Sequence, residues 1–194
     1  MPLFREDSVR YCGWVTRSAR SHFVLGIRLL PKPRREAMEA VYAFCRAVDD
    51  VADEGSGSFV RGDLAGCTKV PDPFSQLEEL NRWRKELAAC RDGFPTHPIA
   101  VGLQPVVERY RIPMECLEQI VQGVEMDLTI RRYATFEEMK VYCRRVASAV
   151  GLISVRIFGC RHPASDWYAT ALGIALQLTN ILRDIQSDLT RDRI

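Results

Sequence analysis

Apolar residues recur at three- and four-residue intervals over seven stretches of the chain, 8–29, 34–54, 74–91, 97–111, 113–131, 135–160 and 164–190. That spacing lays them along one face of an α-helix. Between the stretches stand Pro31 and Pro33, Gly55 and Gly57, Pro71 and Pro73, Pro95 and Pro98, Pro113, and Pro163, where turns are expected. No segment alternates apolar and polar residues in the manner of a half-buried strand. The branched residues of GLISVRIFG at 151–159 invite that reading, but their place inside a longer helical pattern favours helix. The expected fold class is therefore all-α. Residues 55–73, rich in glycine, serine and proline, read as a mobile loop, serving either as a lid or as a plain connection.

Composition narrows the picture. With 194 residues, 47% hydrophobic and 27% charged, the chain suits a single globular domain over 1–194. A formal net charge of +2 and the lack of any basic run interleaved with aromatics argue against nucleic acid. The seven cysteines are odd in number and show no CxxC or CxxxC spacing, which argues against both zinc and a disulfide framework and for a reducing cytoplasm. The start, MPLFREDSVR, has acidic residues and no apolar core, so no signal peptide is expected. No run of 18 uncharged apolar residues exists to span a bilayer, which leaves peripheral contact at the inner membrane open.

Two acidic motifs carry the chemistry. In AVYAFCRAVDDVADE, residues 40–54, Val41, Phe44, Val48 and Val51 form an apolar stripe. Asp49 and Asp53 lie one turn apart, about 6 Å along the axis on one face, where like charges repel. Asp50 points about 100° away, with Glu54 near it. In residues 171–193, Gln177, Asn180, Asp184 and Asp188 share a polar face flanked by Leu176, Ile181 and Ile185. One acid pair on a helix is commonly a solvated face. Two, the second aligned with Asn180 and Gln177, call for a ligand that satisfies them. Magnesium would explain both motifs, since it takes oxygen donors, usually one or two carboxylates together with substrate phosphate oxygens. Arg46 and Arg183, beside the two clusters, would add positive charge to a departing diphosphate.

At these residues the sequence resembles the squalene and phytoene synthase family. The similar blocks are residues 21–54, LEQIVQGVEMDLTIRR at 117–132, YCRRVASAVGLISVRIFG at 142–159 and ALGIALQLTNILRDIQSDL at 171–189. The resemblance implies an isoprenoid synthase fold, with helices around a deep apolar cavity and the acids at its mouth. Asp49, Asp53, Asp184 and Asp188 then look like magnesium ligands, with Gln177, Asn180, Arg46 and Arg183 beside the diphosphate. Phe23, Tyr42 and Tyr142 would line the cavity as aromatic faces for a carbocation, Tyr142 having the better claim because it opens the YCRRVA block. Asp127 reads more simply as a helical ion pair with Arg131. The family commonly has serine where this chain has His22, and an additional acid near Asp188.

The wording of the motifs is most similar to the hopanoid-pathway branch, which condenses two farnesyl diphosphates to presqualene diphosphate. Condensation of two geranylgeranyl diphosphates to phytoene is the alternative within the family. Outside it, the alternatives are a non-catalytic relative acting as an assembly protein and a helical lipid-binding module. Relatives continue for several helices past residue 194. Without a replacement, the apolar face of 164–190 would be partly exposed and self-association is expected.

Overall fold

The third helix shows why the chain folds as it does. In a computed structural model, which describes residues 2–19, 21, 23–54 and 73–190, α3 (Lys32–Glu54) runs through the middle of the molecule. Its stripe of Val41, Phe44, Val48 and Val51 is at most 1% exposed. Around it stand α1 (Pro2–Ser18), α4 (Pro73–Asp92), α5 (Pro98–Tyr110), α6 (Met114–Thr129) and α8 (Ala149–Phe158). Phe44 meets the Trp83 ring of α4 edge-on at 5.6 Å between centroids, and Trp83 in turn meets His97 at 4.7 Å. A fully buried side chain of the Phe44 class contributes about 1.5–3 kcal/mol by leaving water.

The predicted helices appear with few changes, and no strand occurs among the described residues. Residues 151–158 are helical, as their surroundings implied. The stretch 8–29 divides in two: α1 stops at Ser18 and α2 (Phe23–Arg28) restarts the helix. The Ser21 hydroxyl accepts a hydrogen bond from the Phe23 N–H at 3.3 Å, a local alternative to the helical ladder. The predicted loop over 55–73 lies outside the described residues, apart from Pro73, which opens α4.

Between α4 and α5 a side chain holds the turn. Glu86 of α4 accepts hydrogen bonds from the Thr96 hydroxyl, from the Thr96 N–H at 2.9 Å and from the His97 N–H at 3.0 Å. His97 then caps α5, its Nδ1 accepting from the Ile99 N–H at 3.2 Å, and Pro98 occupies the first helical position, where its missing N–H costs nothing. Thr135 caps α7 (Phe136–Cys143) by accepting from the Glu138 N–H at 3.2 Å, while the Glu138 carboxylate reaches back to the Ala134 N–H at 3.0 Å.

The stretch 135–160 is one continuous helical path with a change of pitch. Between α7 and α8 lies a π-helical turn, Arg144–Ser148. Two glycines let neighbouring helices close on it. At Gly123 of α6 an added Cβ would lie 2.5 Å from Val146 Cγ1 and 3.3 Å from the Val146 nitrogen. At Gly173 of α9 (Ser165–Thr190) it would lie 2.6 Å from Ser148 Cα. The Ser148 hydroxyl donates to the Thr170 carbonyl at 2.8 Å, which ties the same crossing. Helix α9 thus rests on the π turn, on α8 and on α7.

Six of the cysteines fall among the described residues; all six are free thiols, and only Cys160 is exposed. No described helix is long and apolar enough to cross a membrane.

Candidate active site

The α6–π-turn crossing brings together two side chains that lie 15 residues apart. Tyr142, in the last turn of α7, donates its phenol hydrogen to Asp127 Oδ2 on α6 at 3.3 Å. The Tyr133 ring lies against the Tyr142 ring at 5.7 Å. Burial pushes the Tyr142 phenol well above its ordinary range, and the negative charge and hydrogen bond of Asp127 push it further, with smaller contributions from Tyr133 and Asp49. At any ordinary pH, Tyr142 is therefore a neutral hydrogen-bond donor rather than a base. The Asp49 carboxylate is near enough for its charge to act on the Tyr142 phenol.

Helix α3 presents Asp49 to solvent, while Asp50 is half-buried and receives Arg46 Nη2 at 2.6 Å. The Arg46 guanidinium, predicted for a diphosphate, thus has a carboxylate partner one helical turn away. Asp53 lies in the last turn of α3, its side chain outside the described residues, as His22 is altogether. Tyr42 is half-buried on α3, and Phe23 is 68% exposed at the start of α2.

Helix α9 carries the second motif in an unusual orientation. Gln177, Asn180, Asp184 and Asp188 are all half-buried, whereas Leu176, Leu182, Ile185 and Leu189 are between 48% and 69% exposed. Polar groups face inward and leucines outward. Asn180 Nδ2 donates to Gln177 Oε1 at 3.4 Å. Arg183 grips Asp184 with two hydrogen bonds, Nε to Oδ1 at 2.8 Å and Nη2 to Oδ2 at 2.6 Å. The bond from Arg183 holds the Asp184 carboxyl below the usual carboxylate range, so it is ionised at neutral pH.

Both acid-bearing helices thus flank the partition formed by α6, the π turn and α8: α3 packs on α6 and α8, and α9 on the π turn and α8. Among the described residues no three His, Cys, Asp or Glu side chains converge as a ready cage for an ion. Asp127 is the residue that sequence reasoning undervalued. Helix α6 ends at Thr129, so Arg131 lies beyond it, and Asp127 accepts a hydrogen bond from Tyr142. Nothing in the local pattern of either residue announces that pairing.

Comparison with known proteins agrees with this arrangement. The family model described as squalene/phytoene synthase matches residues 16–194. A phytoene synthase of Arthrospira platensis is 35% identical over 100% of this chain and 62% of its own length. A presqualene diphosphate synthase of Rhodopseudomonas palustris is 41% identical over 87% of this chain and 55% of its own. The chain therefore spans a little over half of these relatives. The crystal structure of a squalene synthase from Alicyclobacillus acidocaldarius superposes with a TM-score of 0.82 at 29% identity, over 100% of this chain and 67% of that one. A dehydrosqualene synthase, crystallised with a ligand, gives 0.79 at 26% identity, over 98% and 61%. The helices are those of the isoprenoid synthase fold, and the chain belongs to the squalene/phytoene synthase family, whose members join prenyl diphosphates head to head.

Proposed function

We propose that this chain binds two prenyl diphosphates and condenses them head to head, with farnesyl diphosphate as the substrate and presqualene diphosphate as the product. The observation that carries the reading is the reversed α9, which turns Gln177, Asn180, Asp184 and Asp188 inward while exposing leucines. Carboxylates and amides gathered on one helix face repel or compete unless a cation and its polar ligand join them.

The donor set suits magnesium, since Asp49, Asp53, Asp184 and Asp188 offer only hard oxygen ligands. Magnesium takes one or two carboxylates and completes its shell with phosphate oxygens, which those residues and a bound diphosphate would supply. When bound, the metal would neutralise the diphosphate and draw charge from its carbon–oxygen bond.

In the reaction the donor's carbon–oxygen bond breaks, the electron pair leaves with diphosphate, and an allylic cation remains. The second substrate's double bond attacks that cation, and loss of one proton closes a cyclopropane. No reductant is consumed. Release of Arg46 from Asp50 and of Arg183 from Asp184 would free two guanidinium groups for the leaving diphosphate. Tyr142, its phenol hydrogen donated to Asp127, stays protonated and presents a neutral ring to the cation rather than a phenolate that would capture it. The faces of Phe23 and Tyr42 are suited to stabilise it.

Similarity to relatives named phytoene synthase supports a second reading with two geranylgeranyl diphosphates. Both are tested by titrating the chain calorimetrically with inorganic diphosphate, with and without magnesium, and by identifying the product from each prenyl diphosphate by mass. Magnesium-dependent binding that Asp49→Asn and Asp184→Asn each abolish is expected. Binding indifferent to both substitutions refutes the assignment, and the mass of the product distinguishes the two substrates.

A further inference from the structure

Arg46 has two carboxylates within reach. On α3, Asp49 lies three residues further on and Asp50 four, and both spacings bring side chains together on a helix surface. The guanidinium takes Asp50, with Nη2 2.6 Å from Oδ1. Asp50 is suited to hold it: its side chain is 23% exposed against 44% for Arg46, and its Oδ1 is buried. A carboxylate oxygen shielded from water attracts a cation more strongly than one in bulk solvent, because less solvent screens the pair. Helix α9 shows what an arginine does where no second acid stands beside it. The positions three and four residues beyond Arg183 are Gln186 and Ser187. Arg183 turns instead to its neighbour Asp184 and occupies both carboxylate oxygens, at 2.8 and 2.6 Å. Those are the oxygens that a metal ion would need.

Given Asp49 as a metal ligand, as proposed above, we infer that Asp50 is a positioning residue, which draws Arg46 to itself and so keeps the guanidinium off the Asp49 oxygens. Asp50 points about 100° around the helix from Asp49, so its own oxygens serve the arginine and not the ion. The arginine it holds stays one exchange of partners away from an arriving diphosphate, whose oxygens bind a guanidinium in the same two-pronged manner as a carboxylate. Without Asp50, Arg46 would turn to Asp49, and the metal would have to displace a guanidinium before it could bind.

Calorimetric titration of the purified chain at saturating inorganic diphosphate reads the free magnesium concentration that half-fills the site. Asp50→Ala and the isosteric Asp50→Asn should each raise that concentration about two- to fivefold, the strength of an exposed ion pair set against the metal. Asp50→Glu, which keeps the charge, should stay near the wild type. Arg46→Gln alone should weaken diphosphate binding at saturating magnesium but leave the magnesium requirement unchanged. Arg46→Gln together with Asp50→Asn should return that requirement to the wild-type value. Additive effects, in which Arg46→Gln lowers the requirement as much as Asp50→Asn raises it, would make Asp50 only a charge near the ion and overturn the inference. So would an unchanged requirement in the Asp50 variants, or a raised one that Arg46→Gln does not restore, the mark of a merely structural pair. A wild type that binds no diphosphate with magnesium overturns the assignment of the site itself, and the role of Asp50 with it.

Discussion

Replacing Gly173 by alanine would set a methyl group 2.6 Å from Ser148 Cα, 2.7 Å from the Ser148 nitrogen and 2.9 Å from its hydroxyl oxygen. Two of these three are backbone atoms of the π turn, so no rotamer change relieves the contact and α9 itself must move outward. Such overpacking costs about 1–3 kcal/mol. Separating the helices also strains the 2.8 Å bond from Ser148 to the Thr170 carbonyl, worth about 1 kcal/mol. Against this, alanine returns about 1 kcal/mol of helix propensity. The net loss is about 1–3 kcal/mol, which at a urea slope of about 2 kcal/mol/M lowers the unfolding midpoint by about 0.5–1.5 M. Gly26→Ala is the matched control, because nothing lies within 4 Å of a Cβ there and only the propensity gain applies. Urea unfolding followed by circular dichroism reads both. A Gly173→Ala midpoint equal to or above that of the wild type would refute the close helix crossing.

Tyr142→Phe keeps the ring and removes the phenol, and should slow single-turnover condensation by about fivefold to tenfold, the rate equivalent of one hydrogen bond of about 1 kcal/mol; an unchanged rate would remove Tyr142 from the chemistry. Asp127→Asn takes away the charge that raises Tyr142 after burial, so ultraviolet titration should show that phenol ionising at lower pH than in the wild type. For Glu86, burial raises the carboxyl, but the bonds from Thr96 and His97 outweigh it and hold the group below its ordinary value. A depressed folded value stabilises above the unfolded value of about 4.3 and fades as pH falls through the folded one. Glu86→Gln should therefore cost about 1–2 kcal/mol at pH 7, and the gap in urea midpoints between variant and wild type should narrow as pH falls below about 4.3.

The helices were legible because their signal is local. The stripe of Val41, Phe44, Val48 and Val51 is a repeat that any segment of α3 displays, and Pro98 and Pro113 mark the starts of α5 and α6 without reference to the rest of the chain. The inward face of Gln177, Asn180, Asp184 and Asp188 was legible for the same reason. What escaped depends on partners distant in sequence. The bond between Tyr142 and Asp127 joins two helices, and each residue alone has an ordinary explanation. Glu86 looks like a solvated acid on α4 until the turn at 93–97 folds onto it. The break between α1 and α2 contains no proline or glycine to announce it.

The π turn at Arg144–Ser148 leaves one helix with two registers. In an unbroken α-helix, Tyr142 and Ile153, eleven positions apart, would point within about 20° of each other. Both would then compete for the core that Ile153 fills at 0% exposure. The wider turn takes up roughly one extra residue and swings the preceding segment by on the order of 90°, which frees Tyr142 to address Asp127. Loss of a single residue from this turn would therefore spare the hydrophobic pattern on either side and still redirect the phenol, changing the chemistry of the site while the helices continue to pack.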